Sequence, residues 1–376
     1  MQADKKSEKI IIKVGTATLN HPDASKAIDI KLVERLIKVI SKLRKENHKV
    51  VFVTSGAVAL GVKKLNLQRR PKTILEKQVA AAVGQALLMQ LYEKHFSKHK
   101  ISIAQILLTR DGFSQREAYL NARETILELL KLNILPIINE NDVVANEEIK
   151  FSDNDMLSAM VSDLISADRL IILTDERGLY DKNPKTYKSA KLIELVKEIT
   201  PEVEKMASGR GSQFSLGGMI TKIQAAKLTT SVGIPTFVIY GKEPEKVFDL
   251  LEGKPVGTTF LPSTNKTEKR KSWIKNTLVI NGKIYVDSGA QKAILANGKS
   301  LLPAGIKKIG GNFNRGAGVE IFLTDSNKPF AKGISNYSKT ELEKIAGLKS
   351  VEIEKILGYT YGETVVHRDD LVILNN

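Results

Sequence analysis

Over its first ~260 residues the chain alternates short β-branched runs with amphipathic helical segments, a rhythm that restricts it to layered folds built on a mostly parallel sheet. The expected strands are "KIIIKV" (9–14), "KVVFVT" (49–54), "SIAQILL" (102–108), "ILPIIN" (134–139), "RLIILT" (169–174) and "PTFVIY" (235–240). Amphipathic segments fall near 30–46, 74–98, 116–132, 155–167 and 218–232. In the first of these, Leu32, Leu36, Val39, Ile40 and Leu43 share one helical face. Several strands are apolar throughout, as strands covered on both faces should be. The sequence therefore predicts an open α/β sheet sandwiched by helices.

Composition shifts near residue 253. "EGKPVGTTFLPSTNKTEKRKS" is rich in Gly, Pro, Thr and Lys and marks a boundary. Shorter strands and turns follow, with "NG" at 281–282 and "GG" at 310–311 expected to be hairpin turns. The expected division is a first domain over 1–260, a linker over 261–276, and a small, mostly β domain with a C-terminal tail over 277–376.

The 376 residues include no cysteine, which removes a disulfide framework, a thiolate nucleophile and Cys-ligated zinc. No apolar run reaches the ~18 residues of a membrane span, and that of "MQADKKSEKIIIKVG" is too short for a signal peptide. A cytoplasmic location is expected. The net charge of +16 favours anionic partners, although most of the 58 Lys and Arg lie singly on expected helix faces and form no block.

Open parallel sheets bind ligands beyond the C-terminal ends of their strands, so the residues there carry the functional signal. Lys13 ends an isoleucine run; it either reaches solvent at the strand edge or meets a ligand phosphate. Ser55 and Gly56 follow the second strand and alone read as an ordinary strand-to-helix turn. Asn139, Glu140, Asn141 and Asp142 end the fourth and suit an amine. In "FSDNDMLSA" Ser152, Asp153 and Asn154 either cap a helix or, with Asp155, face a ligand at its N-terminus. Thr174 and Asp175 open a loop able to hold a base or ribose, or simply a surface loop. Gly217 and Gly218 precede a helix with Lys222 one turn in, a phosphate site or a glycine-flanked helix start; it is not a P-loop.

Taken in order, "KVGTA", "VTSGA", "LLTR" with "NAR", "INEND", "SDNDMLSA", "LTDERGLYDKNP" and "GGMITK" closely resemble the glutamate 5-kinase family of the amino acid kinase superfamily, over nearly the whole chain. After the linker, "VDSGA", "SLLPAGI", "GNFNRGAGVEI" and "ILGY…VVHRDDLV" resemble a PUA domain. The resemblance implies ATP-dependent phosphorylation of the side-chain carboxylate of L-glutamate, the first step of proline biosynthesis. It implies that Lys13 and Lys222 contact the phosphates and that Asp155 organises them. Ser55, Asp142 and Asn154 would bind glutamate, with Asp153 beside them. Thr174, Asp175 and the run Leu216, Gly217, Gly218, Met219, Ile220, Thr221 and Lys222 would hold ATP. Mg²⁺ would be held mainly through the ATP phosphates, with no dedicated protein ligands.

A carboxylate nucleophile, with a reference pKa of about 4.3, is already ionised at neutral pH, so no general base is required. That accords with the absence of His from every kinase-like motif before the linker. Three positions depart from the family pattern: Ala17 where serine is usual, Leu216 where threonine is common, and Ile220 where a small or polar residue is frequent. The resemblance further implies L-proline as feedback inhibitor near 142–148, a homo-oligomer, and delivery of the product to glutamate 5-semialdehyde dehydrogenase. Two other readings compete. One is a related kinase acting on N-acetylglutamate, carbamate or a nucleotide. The other is RNA binding through the PUA-like domain, weakened by the single tryptophan and 6% aromatic content.

Overall fold

The computed structural model describes residues 7–23, 27–67, 69, 71–109, 113, 116–144, 154–208, 218–262 and 279–374. The chain divides into two compact units, the first comprising 1–115 and 125–263, the second 116–124 and 264–376.

In the first unit eight strands form one sheet in the order β3-β4-β2-β1-β5-β7-β8-β6. They are β1 (Lys9–Val14), β2 (Lys49–Val53), β3 (Ile103–Leu108), β4 (Leu135–Glu140), β5 (Arg169–Thr174), β6 (Leu195–Val196), β7 (Thr236–Tyr240) and β8 (Thr258–Phe260). The six strands expected from sequence run parallel: β1 pairs with β2 and β5, β4 with β2 and β3, and β5 with β7. Ile10, Ile11 and Ile12 are all fully buried. Both faces of β1 are therefore covered, which is why its sequence does not alternate. Each such isoleucine contributes about 1.5–3 kcal/mol through burial.

β6 and β8 were not evident from the sequence. β8 runs antiparallel to β7 and lies within the Gly/Pro/Thr-rich segment read as a boundary. Phe260, fully buried, anchors it. A three-residue strand carries too little periodicity to stand out from its turn-forming neighbours.

The helices of this unit are α1 (Thr16–Leu19), α2 (Ile30–Lys45), α3 (Ala57–Lys64), α4 (Ile74–Phe96), α5 (Arg116–Lys131), α6 (Asn154–Leu164), α7 (Pro201–Ser208), α8 (Met219–Ser231) and α9 (Lys246–Leu251). The first half of α5 belongs to the second unit. Asp29 caps α2 by accepting from the Leu32 N–H, and the five apolar residues of its expected face are all buried. α4 begins with a full capping box from Thr73 and Glu76. Helices α3 and α4 cross backbone to backbone. A Cβ on Gly84 would lie 1.7 Å from the Ala57 carbonyl oxygen, and one on Gly61 1.8 Å from that of Ala80. Only glycine permits this crossing, and it fixes α4 beside the end of β2.

In the second unit five strands form a sheet in the order β10-β9-β11-β12-β13: β9 (Ile280–Val286), β10 (Ile306–Gly311), β11 (Gly318–Leu323), β12 (Pro329–Ile334) and β13 (Leu371–Ile373). α10 (Ser288–Asn297), α11 (Lys339–Ile345) and α12 (Ile353–Leu357) accompany it. Its core includes Ile284, Val286, Val319, Ile321, Tyr337, Leu342 and Ile345. Also within this unit, the Arg315 guanidinium lies 3.6 Å from the Tyr361 ring centroid and 2.5 Å from Glu124.

Both expected hairpin turns are corrected. "NG" at 281–282 lies inside β9, and "GG" at 310–311 ends β10. A Cβ on Gly282 would lie 2.2 Å from the Phe313 ring, and one on Gly311 2.5 Å from the Asn281 carbonyl oxygen. These glycines admit close packing rather than reverse the chain.

Candidate active site

The described polar residues singled out in the first unit lie at or just after the C-terminal ends of β1, β2, β4 and β5 or open α6 and α8. Lys13 occupies the penultimate position of β1 and is 1% exposed. An unpaired ammonium there would be prohibitive. Its Nζ lies 2.5 Å from Asp155 Oδ1, and Lys222 Nζ lies 3.1 Å from Asp155 Oδ2. Thr221 donates its hydroxyl to the same Oδ2 at 2.8 Å.

Asp155 is fully buried, in the first turn of α6, where a negative charge suits the helix dipole. Burial pushes its carboxyl pKa up, but Lys13 and Lys222, with hydrogen bonds from Lys13 and Thr221, prevail and hold it well below the usual carboxylate range. One carboxylate thus serves two ammoniums, and the cluster keeps an excess positive charge. Gly15 makes room for it: a Cβ there would lie 3.2 Å from Lys13 Nζ.

Lys222 stands in the first turn of α8, whose N-cap, Gly218, has extended backbone and provides no side chain to the first-turn N–H groups. A helix start of this kind, with a lysine and a second lysine from the neighbouring strand, forms a cradle for phosphate. Met219 and Ile220 are half-buried, and Thr221 and Lys222 buried. Leu216, Gly217 and Asp153 lie outside the described residues, as does Ser152, the other expected cap of α6. Thr174 ends β5, buried, and donates to Asp175 Oδ1 at 3.1 Å; Asp175 itself is exposed. Ala17 is exposed in α1.

A second polar group gathers around Asn154. Its Nδ2 lies 2.7 Å from the Thr54 carbonyl oxygen, 2.7 Å from Ser55 Oγ and 2.9 Å from Asn139 Oδ1. Its Oδ1 is buried and has no hydrogen-bond partner among the described residues. A buried carbonyl oxygen left in this state calls for a donor from a ligand. Gly56, with φ of +107°, turns the chain from β2 into α3 and brings Ser55 to this position. Asp142 is half-buried in the turn after β4.

The structure thus joins Lys13, Asp155, Lys222 and Thr221 in one cluster, and Asn154 with Ser55 in a second, on successive residues of α6. It also brings in three residues not selected from sequence. Thr54 shares a 2.6 Å hydrogen bond with the buried Tyr92 hydroxyl, whose pKa burial drives up. Gln85 Oε1 accepts from Asn139 Nδ2 at 2.9 Å. Both Tyr92 and Gln85 stand on α4, and no local pattern distinguishes them from ordinary helix-face residues.

Among the described residues no group of three or more His, Cys, Asp or Glu could hold a metal ion, and no helix is long and apolar enough to cross a membrane.

Such a sheet, with paired lysines around one aspartate beyond its strand ends, is that of a phosphoryl-transfer enzyme, and comparison with known proteins agrees. Residues 8–240 match the model of the amino acid kinase family and 282–357 that of the PUA domain. The chain belongs to the amino acid kinase family. It is 46% identical to the glutamate 5-kinase of Thermoanaerobacter pseudethanolicus, over 97% of this chain and 98% of that one. It is 45% identical to the glutamate 5-kinase of Geobacter sulfurreducens, over 98% of each. Among solved structures, carbamate kinase from Giardia lamblia bound to AMP-PNP superposes with a TM-score of 0.51 at 18% identity, covering 68% of this chain and 98% of that one.

Proposed function

We propose that this chain transfers the γ-phosphoryl group of ATP to the side-chain carboxylate of L-glutamate, yielding ADP and L-glutamyl 5-phosphate. The observation that carries this is the Lys13–Asp155–Lys222 cluster, which carries one net positive charge in a dry setting at the C-terminal end of the central strand β1. An anionic nucleophile and an anionic phosphoryl group repel each other. Fixed cations aimed at the transferring group lower that barrier without reorganising. No proton needs to leave the acceptor, so no base is required. A bound Mg²⁺ would neutralise charge on the β- and γ-phosphates, reaching the site on the triphosphate.

Lys13, Lys222 and the first-turn N–H groups of α8 would contact the phosphates, with Gly218, Met219, Ile220 and Thr221 beneath them. Thr174 and Asp175, together with Leu216 and Gly217, would border the nucleoside. Ser55, Asn154 and Asp142 would receive glutamate, the buried Asn154 Oδ1 accepting from its ammonium group. In this scheme residues 1–260 carry the catalysis, 261–276 form a linker, and 277–376 form an accessory module.

The amide of N-acetylglutamate has one donor, no charge and greater bulk, so the acceptor pocket should exclude it. Incubation with ATP, Mg²⁺ and hydroxylamine, which traps acyl phosphates, should give hydroxamate from L-glutamate and at least ~100-fold less from N-acetylglutamate. Equal yields from both acids would overturn the assignment of the acceptor.

The acyl phosphate is labile and suits direct consumption by a reductase such as glutamate 5-semialdehyde dehydrogenase. L-Proline, which shares the α-carboxylate and a cationic amine, would act as feedback inhibitor at or beside Asp142, in a homo-oligomer. An unchanged rate with millimolar proline at subsaturating glutamate would remove that role.

A further inference from the structure

We propose that Gln85, on α4, is a positioning residue that, through Asn139, holds the Asn154 amide oxygen in place for the substrate, and thereby supports the preference for an acceptor carrying an ammonium group. The proposal rests on the functional reading above, in which Asn154 meets the glutamate amine.

Backbone groups at two points determine the orientation of the amides. The Glu140 N–H donates to Asn139 Oδ1 at 2.9 Å, and a backbone N–H can only donate. That oxygen is therefore an acceptor, and the Asn139 amide cannot be turned over without losing this bond. Its Nδ2 must then find an acceptor, which Gln85 Oε1 provides at 2.9 Å. At the other end, the Thr54 carbonyl oxygen can only accept. Between Thr54 O and Asn139 Oδ1, Asn154 must present Nδ2 to both, at 2.7 and 2.9 Å. Its Oδ1 is consequently the end left without a partner among the described residues. Through the chain of Asn139 and Asn154, the two backbone groups thus leave one buried group without a partner among the described residues, an acceptor rather than a donor.

Gln85 is well placed to hold this chain. It follows Gly84, where α4 crosses α3 with no room for a Cβ, so its backbone is fixed. Two helical turns earlier on α4, Gln78 Nε2 donates to the Val143 carbonyl oxygen at 3.0 Å. Two glutamines of one helix thus grip the segment 139–143, which also carries Asp142. Without an acceptor at position 85, the Asn139 Nδ2 group would lose its partner, and turning over would not restore one, because its oxygen would leave the Glu140 N–H for the same apolar neighbour; the Asn139 side chain would shift instead. Asn154, which donates to Asn139 Oδ1, would shift with it and draw its own Oδ1 away from the ammonium group.

The test compares L-glutamate with glutarate, which has the same two carboxylates and no amine, in the wild-type chain and in Gln85→Met and Gln85→Glu. Glutamate retains an acceptor oxygen at 85, and methionine fills the volume without one. The ratio of kcat/KM for glutamate to that for glutarate should fall about tenfold in Gln85→Met, through KM for glutamate, with KM for ATP unchanged. Gln85→Glu keeps the acceptor and should not lower the ratio, since its added charge disfavours the dianionic glutarate more than the singly charged glutamate. Equal losses on both acids in Gln85→Met, or an equally lowered ratio in Gln85→Glu, would overturn the positioning role. A wild-type chain that does not prefer glutamate to glutarate would instead bring down the reading of the pocket, and this inference with it.

Discussion

Lys222 and Asp155 stand 67 positions apart in the chain and 3.1 Å apart in the folded protein, with Lys13 on the other oxygen of the same carboxylate. Three strongly buried charges in contact make this group both a functional centre and a structural commitment, so removing one member should register in stability as well as in rate.

Asp155→Asn would leave two buried ammoniums facing each other with no anion between them. Removing one partner of a buried ion pair typically costs about 3–5 kcal/mol. Urea unfolding at pH 7 should show a loss of that order, along with loss of kinase activity. A variant as stable as the parent would mean that water reaches the lysines.

The same aspartate fixes the sign of a pH effect. Its pKa is lowered in the folded chain, so its contribution is fully present above the unfolded value of about 3.9 and is lost as pH falls through the lower, folded value. The stability difference between wild type and Asp155→Asn should therefore be level from pH 8 to 5 and shrink below about pH 4. Urea midpoints across pH 3–8 would show this, and a difference that grew on acidification would contradict the assigned charge.

Gly84→Ala would place a methyl group 1.7 Å from the Ala57 carbonyl oxygen. Helices α3 and α4 would have to separate, at a cost of about 1–3 kcal/mol or more. Thermal unfolding should report the loss. Because Gln85 is the next residue, KM for glutamate should rise in the same variant.

Gly15→Ala offers a gentler perturbation. The added Cβ would sit 3.2 Å from Lys13 Nζ, so the ammonium must shift by a few tenths of an ångström within its buried ion pair. The melting temperature should change little, while kcat falls by about tenfold or more, as misplacement near a reacting centre predicts. An unaltered kcat would show that Lys13 tolerates displacement.

Much of this was legible in the sequence, for physical reasons that differ by element. β1, β2, β4, β5 and β7 announce themselves because strands buried on both faces must be apolar throughout. Asp155 and Lys222 stood out as charges beside apolar helix starts. β6 and β8 were hidden by their length. The glycines at 282 and 311 carry a turn signal locally and serve packing globally, a conflict that only the approach of Phe313 and of the Asn281 carbonyl group reveals. Gln85 left no trace at all, since a glutamine within a helical segment reads as solvated until Asn139 is placed beside it.

The most direct measurement of the central claim is hydroxamate formation from ATP, Mg²⁺ and L-glutamate by Lys222→Ala, alongside its unfolding curve. If two lysines flanking Asp155 offset the repulsion between the reacting anions, kcat should drop at least ~100-fold while the variant still unfolds cooperatively. Near-normal turnover by the folded variant would contradict that account.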